Sequence, residues 1–430
     1  MIRRGFVDIN SRYLHWQALG TGPVIVMLHE SPRSSTSLLP LMRHLSDKFC
    51  CIAFDTPGYG ASDPLPDSQA TLNDFADIIL EATLALGISK FSVYGTHTGA
   101  AIAVQLALST PQRVTSLLLD GLAIFSVEEQ KDMLEHYLIP HQPQWDGSHL
   151  MRIWSRIRDQ AIFFPFYNRS HAARLAQPNL DLNFMLRTCF GFLESGDHYQ
   201  VGYRAAICFD GREGLSSITV PSRLQTRSHD LLASHLMRAK SKNSLVSLET
   251  TPLQDDAWLQ SIIAWFSTHP SPSSCSSVLP QHPRRRFVYP NGVPVYVVAG
   301  EGQGLTVTAP TPSPRNNGLY GAPDDAERAG WFADSPCYGV NAAANYDPAA
   351  LTALLGTTVN GQTLVSEPSS FPEPDYDGAF LISTWYAVRD NLIALSAQEG
   401  GDENAAAGPQ LAALSAGHLA LLYTQSMNRL

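Results

Sequence analysis

The residue that this sequence places most distinctively for chemistry is His97. It stands in Gly95-Thr96-His97-Thr98-Gly99, after the apolar run Phe91–Tyr94 and before the helical run 101–108. A tight turn between a strand and a helix, with a glycine two positions to each side, presents its central residue near the positive end of the helix. Histidine titrates near neutral pH, so the pattern predicts a general base or a nucleophile at this turn.

A carboxylate is placed to assist that imidazole. Asp120 ends the apolar run 115–119, which follows the His97 helix in the chain. Because neighbouring parallel strands end at the same edge of a sheet, we expect Asp120 to reach the ring and hold one tautomer, as catalytic carboxylates do. The alternative, that Asp120 caps the turn after its strand, is equally compatible with the sequence.

The elements around these residues alternate between strand and helix. Apolar runs at 24–28, 51–54, 91–94 and 115–119 have the form of buried parallel strands, and a stretch such as 72–82 has the apolar spacing of a helix. Such alternation is typical of an α/β fold with a doubly wound, mostly parallel sheet. Residues 125–210 interrupt it with aromatic, helix-rich sequence, and strand-like segments return near Val220 and at 244–248. The pattern predicts a sheet with an inserted helical cap.

Three motifs together carry a family resemblance. The loop Leu28-His29-Glu30-Ser31-Pro32 and the segment 55–63, which reads Asp-Thr-Pro-Gly-Tyr-Gly-Ala-Ser-Asp, stand in order before the His97 turn. Over residues 5–268 the chain resembles the α/β-hydrolase superfamily, in its capped branch of esterases, epoxide hydrolases, dehalogenases and carbon–carbon bond hydrolases. The His97 turn matches that family's nucleophile elbow.

The resemblance implies roles that this chain fills only in part. His97 stands where the family has Ser, Asp or Cys, and Asp230 matches the acid after the seventh strand. The family's general-base histidine is missing, because residues 248–258 contain no His. Glu30 stands where the oxyanion loop usually has Gly, and its charge would repel a developing oxyanion unless it is protonated or turned away. His29, Glu30, Ser31 and Thr98 are the predicted oxyanion or substrate contacts on this side.

Three hypotheses about function remain open. In the first, His97 acts as base or nucleophile, with Asp120 and Asp230 as supporting carboxylates. In the second, the cap supplies the reactive groups, and its candidates are His149, Asp159, His198, Tyr199 and Tyr203, with Trp154 as a further substrate contact. Trp154 lies on one helical face with Leu150 and Arg158, a stripe that more often forms cap core. In the third, the domain binds a ligand or a partner without catalysis.

The reaction that the resemblance favours is hydrolysis of an ester or carbon–carbon bond. The aromatic residues of the cap suit a small apolar substrate. A non-hydrolytic lyase or decarboxylase step with His97 as base, or a catalytically silent binding or scaffold protein, is the alternative. No metal and no organic cofactor is expected.

The C-terminal third resembles a shortened second copy of the same pattern. A Pro/Ser-rich stretch at 269–286 predicts a linker between a domain at 1–268 and a region at 287–430. Segments 285–302, 334–339 and 377–390 repeat residues near 3–22, 55–60 and 146–159 in the same order, and no elbow is repeated. We predict an eroded α/β repeat, through which the protein could form a homodimer.

Composition narrows the possible partners. The 430 residues are 44% hydrophobic and 16% charged, which is typical of a folded protein. The net charge of −10 produces no electrostatic field that would attract nucleic acid. We expect no membrane association, because no run approaches the roughly 20 apolar residues of a bilayer span. Six cysteines without C-x-x-C spacing, and a start without an apolar leader, predict a reducing, cytoplasmic setting.

Overall fold

A computed structural model describes residues 2–141, 146–175, 177–275, 279–280 and 282, and short segments at 285–288, 295–299, 305–307, 358–359 and 362–363. The described residues up to Pro280 belong to one compact unit, and those from His282 onward belong to a second. Most of the predicted second copy lies outside the described residues.

The first unit contains nine strands. Their bounds are β1 Arg3–Ile9, β2 Arg12–Leu19, β3 Gly22–Leu28, β4 Cys50–Phe54, β5 Phe91–Thr96, β6 Val114–Asp120, β7 Ser222–Arg227, β8 Val246–Thr251 and β9 Ser274–Cys275. Eight of them form a sheet in the order β1-β2-β4-β3-β5-β6-β7-β8. β1 pairs with β2 and β2 with β4 in antiparallel fashion, whereas the pairs from β4 to β8 are parallel. The predicted doubly wound, mostly parallel sheet is confirmed.

Ten α-helices accompany this sheet in the described part of the first unit. They are α1 Leu39–Leu45, α2 Leu72–Ala85, α3 Thr98–Ser109, α4 Val127–His136, α5 Ser148–Gln160, α6 Leu182–Ser195, α7 Tyr199–Cys208, α8 Gly211–Ser217, α9 Ala233–Ala239 and α10 Asp255–Thr268. Helices α4 to α7 come from the interval between β6 and β7 and form the predicted cap. In the described part of the chain, no helix is both long and apolar enough to cross a bilayer.

Both faces of the sheet are covered because its central strands are apolar throughout. All five residues of β4 are buried, and so are five consecutive residues of β3. One core lies between the sheet and α2 and α3, which contribute side chains such as Phe75, Ile79 and Ile102. A second core lies on the opposite face, where Met42 and Phe266 pack from α1 and α10. A rigid layer therefore sets the carboxyl ends of β3, β5, β6 and β7 beside one another.

The start of the predicted linker packs on this unit. β9 pairs with the beginning of β3 in antiparallel fashion. The backbone N–H of Val24 donates to the carbonyl of Ser273 at 3.1 Å, and the Ser271 hydroxyl donates to the Lys90 carbonyl at 2.9 Å. Residues 271–275 thus belong to the first unit.

In the second unit, the described residues other than His282 lie in strands. β10 Arg285–Val288, β11 Val295–Ala299 and β12 Leu305–Val307 pair in sequence as antiparallel neighbours. β13 Thr358–Val359 and β14 Gln362–Thr363 form a separate antiparallel pair. The duplication and the predicted homodimer stay predictions, since most of the segments that carry them lie outside the described residues.

Candidate active site

His97 stands at the apex of the turn between β5 and α3. Its backbone has φ 49° and ψ −109°, a conformation with positive φ that costs a non-glycine residue on the order of 1–3 kcal/mol. The flanking glycines permit the turn: a Cβ on Gly99 would lie 2.2 Å from the carbonyl oxygen of Leu28, and one on Gly95 would lie 2.5 Å from that of Gly99. The N–H of His97 donates to the carbonyl of Gly121 at 3.1 Å, which ties the apex to the end of β6.

The imidazole of His97 is held by Asp230. Nε2 of the ring lies 2.9 Å from Oδ2 of Asp230, and each side chain is 23% exposed. Asp230 follows β7, and its Oδ1 accepts a hydrogen bond from the N–H of Leu232 at 2.7 Å, which fixes the carboxylate. Within the described residues, Nδ1 of His97 has no hydrogen-bond partner. The ring is therefore oriented at one nitrogen and open at the other.

The prediction that Asp120 orients the imidazole is wrong. Oδ2 of Asp120 instead accepts hydrogen bonds from the Tyr94 hydroxyl and from Nε1 of Trp258, both at 3.1 Å. Adjacency of strands was a sound expectation, since Thr96 pairs with Asp120 across β5 and β6. The imidazole instead bonds to Asp230, which lies one strand further along the sheet, because the His97 side chain extends to the loop after β7.

Three carboxylates determine the protonation of His97. Burial lowers the pKa of the imidazole, but the charge and hydrogen bond of Asp230, followed by the charges of Glu30 and Asp120, outweigh burial and raise the pKa to about 9. Burial raises the pKa of Asp230, but the charge and hydrogen bond of His97 outweigh it, and the net shift is downward. At neutral pH the pair is therefore an imidazolium and a carboxylate.

Glu30 is turned toward its own loop. Its Oε1 accepts from Nη1 of Arg33 and its Oε2 from the Ser37 hydroxyl, each at 3.1 Å. These bonds occupy the carboxylate that stands where the resemblance leads one to expect glycine. The N–H groups of Thr98 and Gly99 lie in the first turn of α3, where no helical carbonyl precedes them, so they are available as donors to an anion.

Two cavities meet at His97. The larger, of about 570 Å³, is lined by Glu30, Tyr94, Asp120, Asp230 and other residues of the sheet edge and cap. The smaller, of about 70 Å³, is mostly apolar, and its walls include Thr98, Phe125, Tyr137, Phe164 and Tyr203. Ser31 and His97 line both cavities. A guest molecule in either cavity would contact the imidazole.

His29 does not contact either cavity. The ring is 1% exposed, its Nδ1 lies 2.9 Å from the carbonyl of Glu30, and its Nε2 accepts from the N–H of Thr56 at 3.0 Å. Burial lowers the pKa of this ring. Both nitrogens are used inside the loop, so the prediction of a substrate contact at His29 is wrong.

Two of the predicted cap contacts, Trp154 and Tyr199, lie in the cap's own core. Trp154 packs with Tyr199 in an apolar cluster of α5, α6 and α7. The Tyr199 hydroxyl accepts from Nη1 of Arg156 at 2.8 Å, and its ring stacks on His141. His198 lies against Gly58. None of the three predicted residues, Trp154, His198 and Tyr199, lines the two cavities at His97.

Sequence reasoning missed a polar group beside the larger cavity. The guanidinium of Arg227 stacks 4.1 Å above Trp258 and pairs with Asp255 at 2.7 Å, while Trp258 holds Asp120. Trp258 and Asp255 come from the segment where the family's histidine is missing, so that absence was the available signal. In the described ranges, no three acidic, histidine or cysteine side chains are grouped for a metal ion.

Comparison with known proteins agrees with this architecture. Residues 23–160 match the family model described as alpha/beta hydrolase fold. This chain has the α/β-hydrolase fold. An epoxide hydrolase from an endophytic Streptomyces has a similar structure, with a TM-score of 0.50 and 17% sequence identity over 62% of this chain and 95% of that one.

The curated relatives are similar over shorter stretches. A 2-(acetamidomethylene)succinate hydrolase of Mesorhizobium japonicum is 33% identical over 129 residues, 30% of this chain and 46% of that protein. A 2-hydroxy-6-oxononadienedioate/2-hydroxy-6-oxononatrienedioate hydrolase of Pseudomonas putida is 32% identical over 126 residues, 28% of this chain and 43% of that protein. The chain thus spans less than half the length of these relatives.

Proposed function

We propose that this protein is an enzyme that hydrolyses an ester or carbon–carbon bond of a small, uncharged, largely apolar molecule, with His97 as the reacting side chain. The observation that carries the proposal is the 2.9 Å contact between Nε2 of His97 and Asp230, which leaves Nδ1 directed to no other residue in the described part of the chain. An imidazole oriented by a carboxylate at one nitrogen is the arrangement of a general base.

The acid–imidazole pair is assembled from an unusual place. The resemblance implies a histidine in the loop after the last strand, with its ring lying between the nucleophile and the acid. Here the imidazole comes from the elbow itself. The pair is thereby retained and the nucleophilic hydroxyl is absent. We infer that Nδ1 of His97 takes a proton from water, which attacks the substrate carbonyl directly, and that Asp230 stabilises the imidazolium that results.

The raised pKa of His97 has two consequences for this step. With a pKa of about 9, roughly one ring in a hundred is neutral at pH 7, which lowers the fraction of active enzyme. The neutral ring is correspondingly a stronger base.

The donors for the oxyanion are the backbone N–H groups at the first turn of α3, near Thr98. Glu30 does not oppose them, because its carboxylate is held by Arg33 and Ser37.

The charges at the site favour an uncharged substrate. Glu30, Asp120 and Asp230 all act on His97 through their charges, so a substrate carboxylate beside the ring would meet repulsion. This weighs against a decarboxylase. The apolar wall of the smaller cavity, including Phe125 and Phe164, suits an acyl or aryl group.

A substrate panel tests the proposal. Uncharged aryl and alkyl esters and β-diketones are offered to the wild type, to His97→Ala, and to His171→Ala, which removes an exposed histidine of the cap. We expect turnover by the wild type and the His171 variant, and a loss of about 10²–10⁴ in kcat/KM for the His97 variant. Equal turnover by all three would remove His97 from the reaction, and binding without turnover would favour the silent alternative.

A further inference from the structure

A pair of thiols lies at the ends of the strands opposite to those that carry His97. Cys50 begins β4 and Cys275 ends β9, which pairs with the first residues of β3. His97 follows the carboxyl end of parallel strand β5, whereas these cysteines lie at the amino ends of β3 and β4. The pair is therefore separate from the candidate active site.

One guanidinium joins the two sulfurs. Nη2 of Arg3 lies 3.8 Å from Sγ of Cys50 and 3.8 Å from Sγ of Cys275, and Nη1 also lies 3.8 Å from Cys275. The same Nη2 donates to the carbonyl of Gly20 at 2.9 Å, which fixes the guanidinium at the start of the sheet. A cation in contact with both sulfurs stabilises a thiolate on either.

The two thiols differ in their surroundings. Cys50 is fully buried, whereas Cys275 is 8% exposed and follows the exposed Ser274. The hydrogen bond from Cys50 and the charge of Arg3 lower the pKa of Cys275. The hydrogen bond between the two thiols raises the pKa of Cys50. Cys275 is thus the more reactive thiol, and Cys50 is its resolving partner.

We propose that Cys50 and Cys275 form an oxidation site, at which a hydroperoxide converts the two thiols into a disulfide that fastens β9 to the sheet. The Cys275 thiolate attacks the peroxide, so that an S–O bond forms, the O–O bond breaks and hydroxide or alkoxide leaves. The Cys50 thiol then attacks the sulfenic sulfur. The S–S bond forms, the S–O bond breaks, and the departing hydroxide takes the Cys50 proton as water. The two thiols lose two electrons and the peroxide gains them.

The bond would close a long loop. It would link residue 50 to residue 275 across cap and sheet, which restricts the unfolded chain more than a short loop does. The first unit of the oxidised protein should therefore melt about 5–10 °C higher than that of the reduced protein.

Peptide mapping tests the proposal. The full chain is treated with hydrogen peroxide, its remaining thiols are alkylated in denaturant, and its peptides are mapped without reduction. We expect a linked Cys50–Cys275 peptide as the main product in the wild type and in Cys208→Ser, which removes an exposed thiol. Linking should be lost in Cys275→Ser and slowed in Arg3→Gln.

Two results would overturn the proposal. One is that both cysteines stay alkylable while Cys208 is oxidised. The other is that Cys275 proceeds to the sulfinic acid without linking to Cys50. Because the wild type and Cys208→Ser decide this by themselves, the test holds even if Arg3→Gln fails to fold.

Discussion

Replacing Asp230 by Asn should lower the pKa of the His97 imidazole. In the wild type the pKa is about 9, against 6.5 for an unperturbed histidine. The difference of 2.5 units corresponds to about 3 kcal/mol by which the folded protein favours the imidazolium. Asp230 makes the largest favourable contribution to that shift, through its charge and its hydrogen bond.

Asparagine keeps the size of the side chain and removes its charge. The burial of the ring, which disfavours the imidazolium, would then be opposed only by Glu30 and Asp120. Since Glu30 is engaged by Arg33, we expect the pKa of His97 to fall clearly below 9 in the variant.

Histidine NMR provides the assay. The protein is labelled in its 14 histidines, titrated from pH 5 to pH 10, and the His97 signal is assigned from its absence in His97→Ala. A wild-type pKa at or below 6.5 would refute the electrostatic reasoning. So would the same pKa in the wild type and in Asp230→Asn.

Three further predictions concern the same fold. Gly121→Ala should lower kcat/KM, because its Cβ would lie 2.6 Å from Cδ2 of His97 and would displace the ring. Gly87→Ala, at a glycine with the same φ in open space, should leave the kinetics unchanged, and equal losses in both variants would contradict this. The raised pKa of His97 should stabilise the folded protein by about 3 kcal/mol, fully below pH 6.5, and this stabilisation should be lost as the pH rises through about 9. Urea unfolding of the wild type and of Asp230→Asn checks this, because the variant should lose the part that Asp230 contributes; a difference in unfolding free energy that stays constant across that range would contradict it. Asp55→Ala should lower the free energy of unfolding by about 3–5 kcal/mol in the same assay. The reason is that the buried Asp55 carboxylate has a depressed pKa and accepts several hydrogen bonds, and a loss under about 1 kcal/mol would contradict this.

The sequence was sufficient to predict the fold of the first unit because its signals are local. Apolar runs such as 24–28 and 91–94, which end at polar turns, have the form of inner strands. The glycines beside His97 mark the tight turn, since a Cβ at either position would lie 2.2–2.5 Å from a backbone oxygen. The absence of a histidine after the last strand could also be read directly from the sequence. Asp230 was named through the family resemblance, as the match to the acid after the seventh strand.

The misplaced residues were those whose partners depend on distant packing. Asp120 is adjacent to the His97 strand, but which carboxylate meets the ring depends on how far the imidazole extends toward β7. In the cap, helical spacing indicates that Trp154 faces inward. It does not distinguish the cap's own core from a wall of the cavity. Trp258 gave no sign of its bond to Asp120, because α10 and β6 are far apart in the chain.

The pH dependence of kcat/KM tests the central claim most directly. For an ester that the wild type turns over, the claim predicts a rate that rises about tenfold per pH unit from pH 6 and levels off near pH 9, as Nδ1 of His97 becomes able to accept a proton. A rate that is flat across this range, or that falls as the pH increases, would contradict His97 as the base.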